Sequence, residues 1–131
     1  MEVDHLGVAV KSLSETAPRW ERLLGVPASL PELVESQRVR VSFLEAGSGH
    51  VELLEPTHPE SAVGRFLASK GEGMHHVAFS VPSVNDQLAA LIRRGERVID
   101  QVGRPGARGR LVGFAHPAAF AGVLVEFVER R

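Results

Sequence analysis

One short pattern occurs twice, and it limits the possible folds more than any other feature of the chain. His5-Leu-Gly-Val-Ala-Val10 and His76-Val-Ala-Phe-Ser-Val81 match in residue type at every position, at an offset of 71 in a chain of 131 residues. Each reads as a short strand opened by a histidine. Strand side chains alternate between faces. His5 therefore shares a face with Gly7 and Ala9, and His76 with Ala78 and Ser80. Leu6, Val8 and Val10, and in the second copy Val77, Phe79 and Val81, are left to pack against something apolar. Each histidine sits where small neighbours leave room for a side chain to enter a cavity. The pattern implies two copies of one unit, each offering an imidazole to a shared interior.

The remaining elements repeat as well. Ser12-Leu-Ser-Glu15 has capping-box spacing, and Leu13, Ala17, Trp20 and Leu24 follow at helical intervals to a closing Gly25. Pro18 suits only a first turn, which moves the expected start towards Ser14. Pro27 and Pro31 mark a loop; 37–45 and 50–55 read as strands joined by a turn at 46–49. A connector helix spans about 61–70, capped by Ser61 and ended by Gly71. The second copy continues with a helix from Ser83 to Gly95, a strand over Arg97–Val102 and a glycine-rich loop over 103–109. It closes with a hairpin, 110–115 and 123–129, around His116-Pro117. With no linker between the copies, the expected organisation is a single domain, 1–131, of two modules at about 1–56 and 72–131.

Composition removes several function classes. A net charge of −1 argues against a nucleic-acid surface, and the absence of cysteine excludes disulfides and thiolate chemistry. No apolar stretch approaches the ~20 residues that cross a bilayer, and the N-terminus lacks the basic and apolar regions of a signal peptide. The expectation is a soluble, cytoplasmic protein with neither a nucleic-acid nor a membrane partner.

Two carboxylates stand inside apolar strands, Glu52 in Val51-Glu-Leu-Leu54 and Glu126 in Leu124-Val-Glu-Phe-Val128. A lone ionised carboxylate there is expensive, so each should be paired, protonated or metal-bound. Alone, a strand histidine or glutamate is more often an ordinary packed or surface residue. Recurrence changes the balance, because His5, Glu52, His76 and Glu126 occupy corresponding places in related units. Two imidazoles and two carboxylates suit a divalent cobalt, nickel, zinc or manganese ion. The other histidines read as structural, with His50 exposed near its turn and His58 and His116 in loops before proline; Glu55 reads as a solvent residue. Arg104, Arg108 and Arg110 are either a solvated cluster or ligands for phosphate or carboxylate.

At Asp4-His-Leu-Gly-Val-Ala-Val10, Val51-Glu-Leu-Leu-Glu-Pro56, Gly71-Glu-Gly-Met-His-His-Val-Ala-Phe79, Arg104-Pro-Gly-Ala-Arg-Gly109, His116-Pro117 and Gly122-Val-Leu-Val-Glu126 the sequence resembles the vicinal oxygen chelate superfamily. Within it the resemblance is to the methylmalonyl-CoA epimerase family. It implies an α+β fold of tandem βαβββ modules forming a curved, partly open mixed β-barrel with flanking helices. His5, His76 and Glu126 fall on the family's metal ligands and Glu52 on its more variable fourth. The implied cation is cobalt first, and the implied partners are an acyl-CoA substrate and a second copy of the chain in a homodimer. The implied reaction interconverts (2R)- and (2S)-methylmalonyl-CoA by moving the C2 proton through a metal-stabilised enolate, with Glu126 as one transfer group and Glu52, a bound water or a residue of the Glu35-Ser36-Gln37 segment as the other. Val41 stands where some relatives have a glutamate, Ala118 where many have lysine, and Arg38 where many have glycine. The competing expectations are a glyoxalase-type isomerase of the same superfamily and a non-catalytic binding module.

Overall fold

The computed structural model describes residues 1–130, so Arg131 lies outside the described residues. Two compact units divide the chain: His5–His75, and Met1–Asp4 together with the residues from His76 onward. Each carries the order strand, helix, then three strands.

In the first unit these are β1 (Glu2–Ala9, continuing from the other unit), α1 (Leu13–Leu24), β2 (Glu32–Val34), β3 (Val39–Ala46) and β4 (Gly49–Pro56), followed by α2 (Ala62–Lys70). The strand order is β2-β3-β4-β1, antiparallel except that β1 runs parallel to β4. The second unit has β5 (Gly73–Val81, its first residues belonging to the other unit), α3 (Val84–Arg93), β6 (Arg104–Pro105), β7 (Leu111–Ala115) and β8 (Val125–Glu129). Its order is β5-β8-β7-β6, with β5 parallel to β8. Each unit contributes four strands in the same mixed order.

The apolar faces fill as the alternation requires. Val8 and Val10 lie with Leu44, Val51 and Leu53 under Leu13, Ala17, Trp20 and Leu24 of α1. Val77, Phe79 and Val81 join Val125 and Phe127 under Val84, Leu88 and Leu91 of α3. Ser12 and Ser83 cap these helices, accepting from the backbone N–H of Glu15 and Asp86.

A second acidic cap sits over each helix start. Glu55 accepts the N–H of Leu13 at 2.9 Å, and Glu129 that of Val84 at 3.0 Å. Glu55, read from sequence as a solvent residue, is therefore tied to α1, with Arg40 at 3.4 Å from its other oxygen. The two caps lie three residues after Glu52 and Glu126, on the opposite strand face. Held from both sides, α1 begins at Leu13 and tolerates Pro18 in its second turn.

Several boundaries differ from the expectation. β1 and β5 start early, so His5 and His76 are each the fourth residue of their strand. β2 forms inside the expected loop, as a short edge strand just after Pro31, where a missing N–H costs no ladder bond. Residues 35–37 form a 3₁₀ turn, and Arg38 takes a left-handed φ of 52°, a conformation that glycine adopts without strain. The strand expected over Arg97–Val102 does not form beyond a bridge from Val98 to Ala115. Asp100 accepts the N–H of Phe114 through its side chain at 2.9 Å, displacing the backbone partner that a ladder needs. The pairing moves to β6, within the loop expected over 103–109.

Candidate functional site

His5 and Glu52 meet within the first unit. Parallel pairing sets Gly7 beside Glu52 and His50 beside His5. Gly7 has no side chain, so the carboxylate reaches diagonally to the imidazole, with Glu52 Oε2 2.9 Å from His5 Nε2. The second unit repeats this with Ala78 beside Glu126, and Glu126 Oε1 lies 3.1 Å from His76 Nε2. Phe43 opposes Glu52 across β3–β4, and Phe114 opposes Glu126 across β7–β8. The small residues noted in the sequence make each diagonal approach possible.

All four side chains are buried: His5 and Glu126 are 4% exposed, His76 3% and Glu52 6%. In such surroundings an isolated carboxylate is costly, and the adjacent imidazole supplies the compensating contact. Each couple presents one imidazole nitrogen and one carboxylate oxygen from an otherwise apolar or small-residue wall. That donor chemistry fits a borderline divalent cation, which can take the place of the proton between nitrogen and oxygen.

The other sequence candidates divide. His50 is half-buried, not exposed; its ring stacks on His5 at 5.1 Å and meets Phe43 edge-on at 5.0 Å. Its place two residues before Glu52, hence on the same face, was the available signal. His75 packs edge-on against Phe66 of α2. His58 and His116 accept the N–H of Glu60 and Ala118 through Nδ1, holding the two His-Pro turns. Arg104 pairs with Asp100 at 3.3 Å and lies 5.4 Å from the Phe114 ring centre. Arg110 bonds Asp4 at 2.9 Å and the Glu129 carbonyl at 3.1 Å.

Residues 4–114 match the glyoxalase/bleomycin resistance protein/dioxygenase superfamily. A mitochondrial methylmalonyl-CoA epimerase of Bos taurus is 33% identical, covering 95% of this chain and 71% of its own. The solved structure of a Streptomyces coelicolor methylmalonyl-CoA epimerase variant in complex with 2-nitronate-propionyl-CoA superposes at a TM-score of 0.93, with 36% identity over 98% of this chain and 94% of the other. A methylmalonyl-CoA epimerase in complex with methylmalonyl-CoA and ammonium gives 0.92 at 36% identity, over 98% and 93%. The α+β fold of tandem βαβββ modules is the fold of these proteins. With its repeated modules, its couples at matching registers and these likenesses, the chain belongs to the glyoxalase/bleomycin resistance protein/dioxygenase superfamily.

Proposed function

We propose that this protein is a metal-dependent methylmalonyl-CoA epimerase, interconverting the 2R and 2S thioesters. The observation that carries the reading is the duplicated buried couple, His5–Glu52 and His76–Glu126, in a chain similar to proteins bearing that name. His5, His76 and Glu126, with Glu52 as fourth, would hold the cation. Cobalt is the first to test, then nickel, zinc and manganese. A divalent ion there supplies Lewis-acid stabilisation of negative charge on the thioester oxygen, worth several kcal/mol.

The chain's own groups move the proton. Epimerisation takes a proton from C2 on one face and returns one on the other, so two groups are needed. Glu126, buried beside His76 and opposite Phe114, is one. Val41 is fully buried and carries no transferable proton, so Glu52, a bound water or a residue of the Glu35-Ser36-Gln37 segment is the other, and Glu52, 2.9 Å from His5 Nε2, is the one to test first. Phe43 and Phe114 are the cross-strand partners of these two carboxylates, which are almost wholly removed from solvent. The same reading takes the active form to be a cytoplasmic homodimer.

The test is incubation of cobalt-loaded protein with (2S)-methylmalonyl-CoA in D2O. Deuterium at C2 together with appearance of the 2R form is expected. Turnover of a hemithioacetal with no exchange would replace this reading with a glyoxalase-type isomerase. Neither activity nor bound metal would replace it with a binding module.

A further inference from the structure

The two histidines of the couples are supported differently. In the second unit Phe114, the cross-strand partner of Glu126, meets the His76 ring edge-on at 5.7 Å and 86°. Its counterpart in the first unit is Phe43, the cross-strand partner of Glu52. Phe43 meets the His50 ring edge-on at 5.0 Å, and His50 in turn lies face-on to His5 at 5.1 Å, with 26° between the planes. The matching position in the second unit, two residues before Glu126, is Leu124. The first unit thus carries an additional imidazole where the second has an aliphatic side chain, and neither couple includes it.

Backbone pairing builds the stack. The parallel ladder of β1 and β4 sets His5 directly beside His50, and the antiparallel ladder of β3 and β4 sets Phe43 diagonally from it. Both ring separations fall in the range at which aromatic pairs attract. The stack answers a specific need of His5. The last torsion of a histidine side chain is soft, so its ring plane has to be fixed from outside. Glu52, 2.9 Å from Nε2, holds one atom of the ring and not its plane. Gly7, next along the same strand face, has no side chain to wall the ring. A flat neighbour against the face of the imidazole supplies the missing constraint.

We propose that His50 is a positioning residue for His5, holding the imidazole plane so that Nε2 stays aimed at Glu52 and at the cation these two would share. An imidazole binds a metal through a lone pair lying in the plane of its ring, so a ring free to tilt binds more weakly, and residues that orient a ligating histidine govern affinity without touching the ion. The stacked face of His50, not its nitrogens, performs this role. The cation itself rests on the metal-dependent reading above, whereas the order imposed on the His5 ring is measurable in the metal-free protein, which keeps the two separable.

Three variants of the full chain test it, with folding checked by thermal melting. His50→Leu copies the second unit, His50→Phe keeps a flat ring and loses both nitrogens, and Phe43→Leu loosens the stack from its far side. Each is titrated calorimetrically with cobalt(II), and carbon-13 relaxation of the His5 ring is recorded without metal. His50→Leu should bind cobalt about tenfold more weakly, His50→Phe should recover most of that loss, and Phe43→Leu should fall between them. The metal-free His5 ring should grow more mobile in the same order. If His50→Leu does not fold, Phe43→Leu carries the comparison. Cobalt affinity that neither leucine variant moves overturns the positioning role. His50→Phe as weak as His50→Leu also overturns it, by making the nitrogens of His50 the operative groups. A parent protein that binds no cobalt, yet whose His5 ring mobility follows the expected order, supports the positioning role and removes the metal-dependent reading.

Discussion

Replacing Glu126 by Gln separates the chemistry of the couple from its packing. Glutamine has nearly the same shape, so its amide can still meet His76 across the 3.1 Å contact. It also removes the desolvation cost of a side chain only 4% exposed. The metal-free variant should therefore melt with stability within about 1 kcal/mol of the parent. Proton transfer is another matter, because an amide neither takes nor returns the C2 proton. Positioned acid–base groups contribute roughly 10²–10⁴ in rate, or about 2.7–5.5 kcal/mol at 1.36 kcal/mol per decade. Deuterium incorporation at C2 of methylmalonyl-CoA, followed by mass spectrometry, should slow by that factor. Glu126→Ala is the packing control: it leaves His76 Nε2 without its carboxylate, at about 1–3 kcal/mol, plus a cavity beside its strand partners Ala78 and Phe114. A folded Glu126→Gln protein that exchanges deuterium at the parent rate would refute the role given to Glu126.

Two further outcomes concern the scaffold. Glu55→Ala and Glu129→Ala each remove an acidic cap, at 2.9 and 3.0 Å, from a helix start. Each should cost about 1–2 kcal/mol, lowering Tm by about 3–6 °C per kcal/mol in a chain of this size. Calorimetry should find the double variant close to additive, and an unshifted Tm would show that Ser12 and Ser83 suffice as caps. Gly64→Ala should destabilise by about 2–3 kcal/mol in urea titration, despite alanine's helix preference. A Cβ there would stand 2.5 Å from the His58 carbonyl oxygen and 2.6 Å from that of Pro59. A stabilised Gly64→Ala would mean that this turn yields easily.

Much of the scaffold was legible because the repeat is written in side-chain size. Small residues beside His5 and His76 mark the face where a carboxylate can cross over Gly7 or Ala78, and bulky ones mark the face beneath the helices. The couples were legible for the same reason, since a glutamate inside an apolar strand has to find a partner. What escaped notice depends on contacts remote in sequence. Glu55 looks like a solvent residue until α1 is set over it, 42 residues away along the chain. The segment 97–102 has strand composition, yet Asp100 captures the Phe114 amide and Ile99 and Val102 stay exposed.

As proposed, His5, His76 and Glu126, with Glu52 as fourth, would hold a single cation. Isothermal titration of metal-free protein with cobalt(II), on the parent chain and on His5→Ala and His76→Ala, asks this directly. A single ion per chain is predicted, with affinity falling by orders of magnitude when either histidine is lost. Two equivalents, or one equivalent that survives loss of His5 or His76 unweakened, would contradict it.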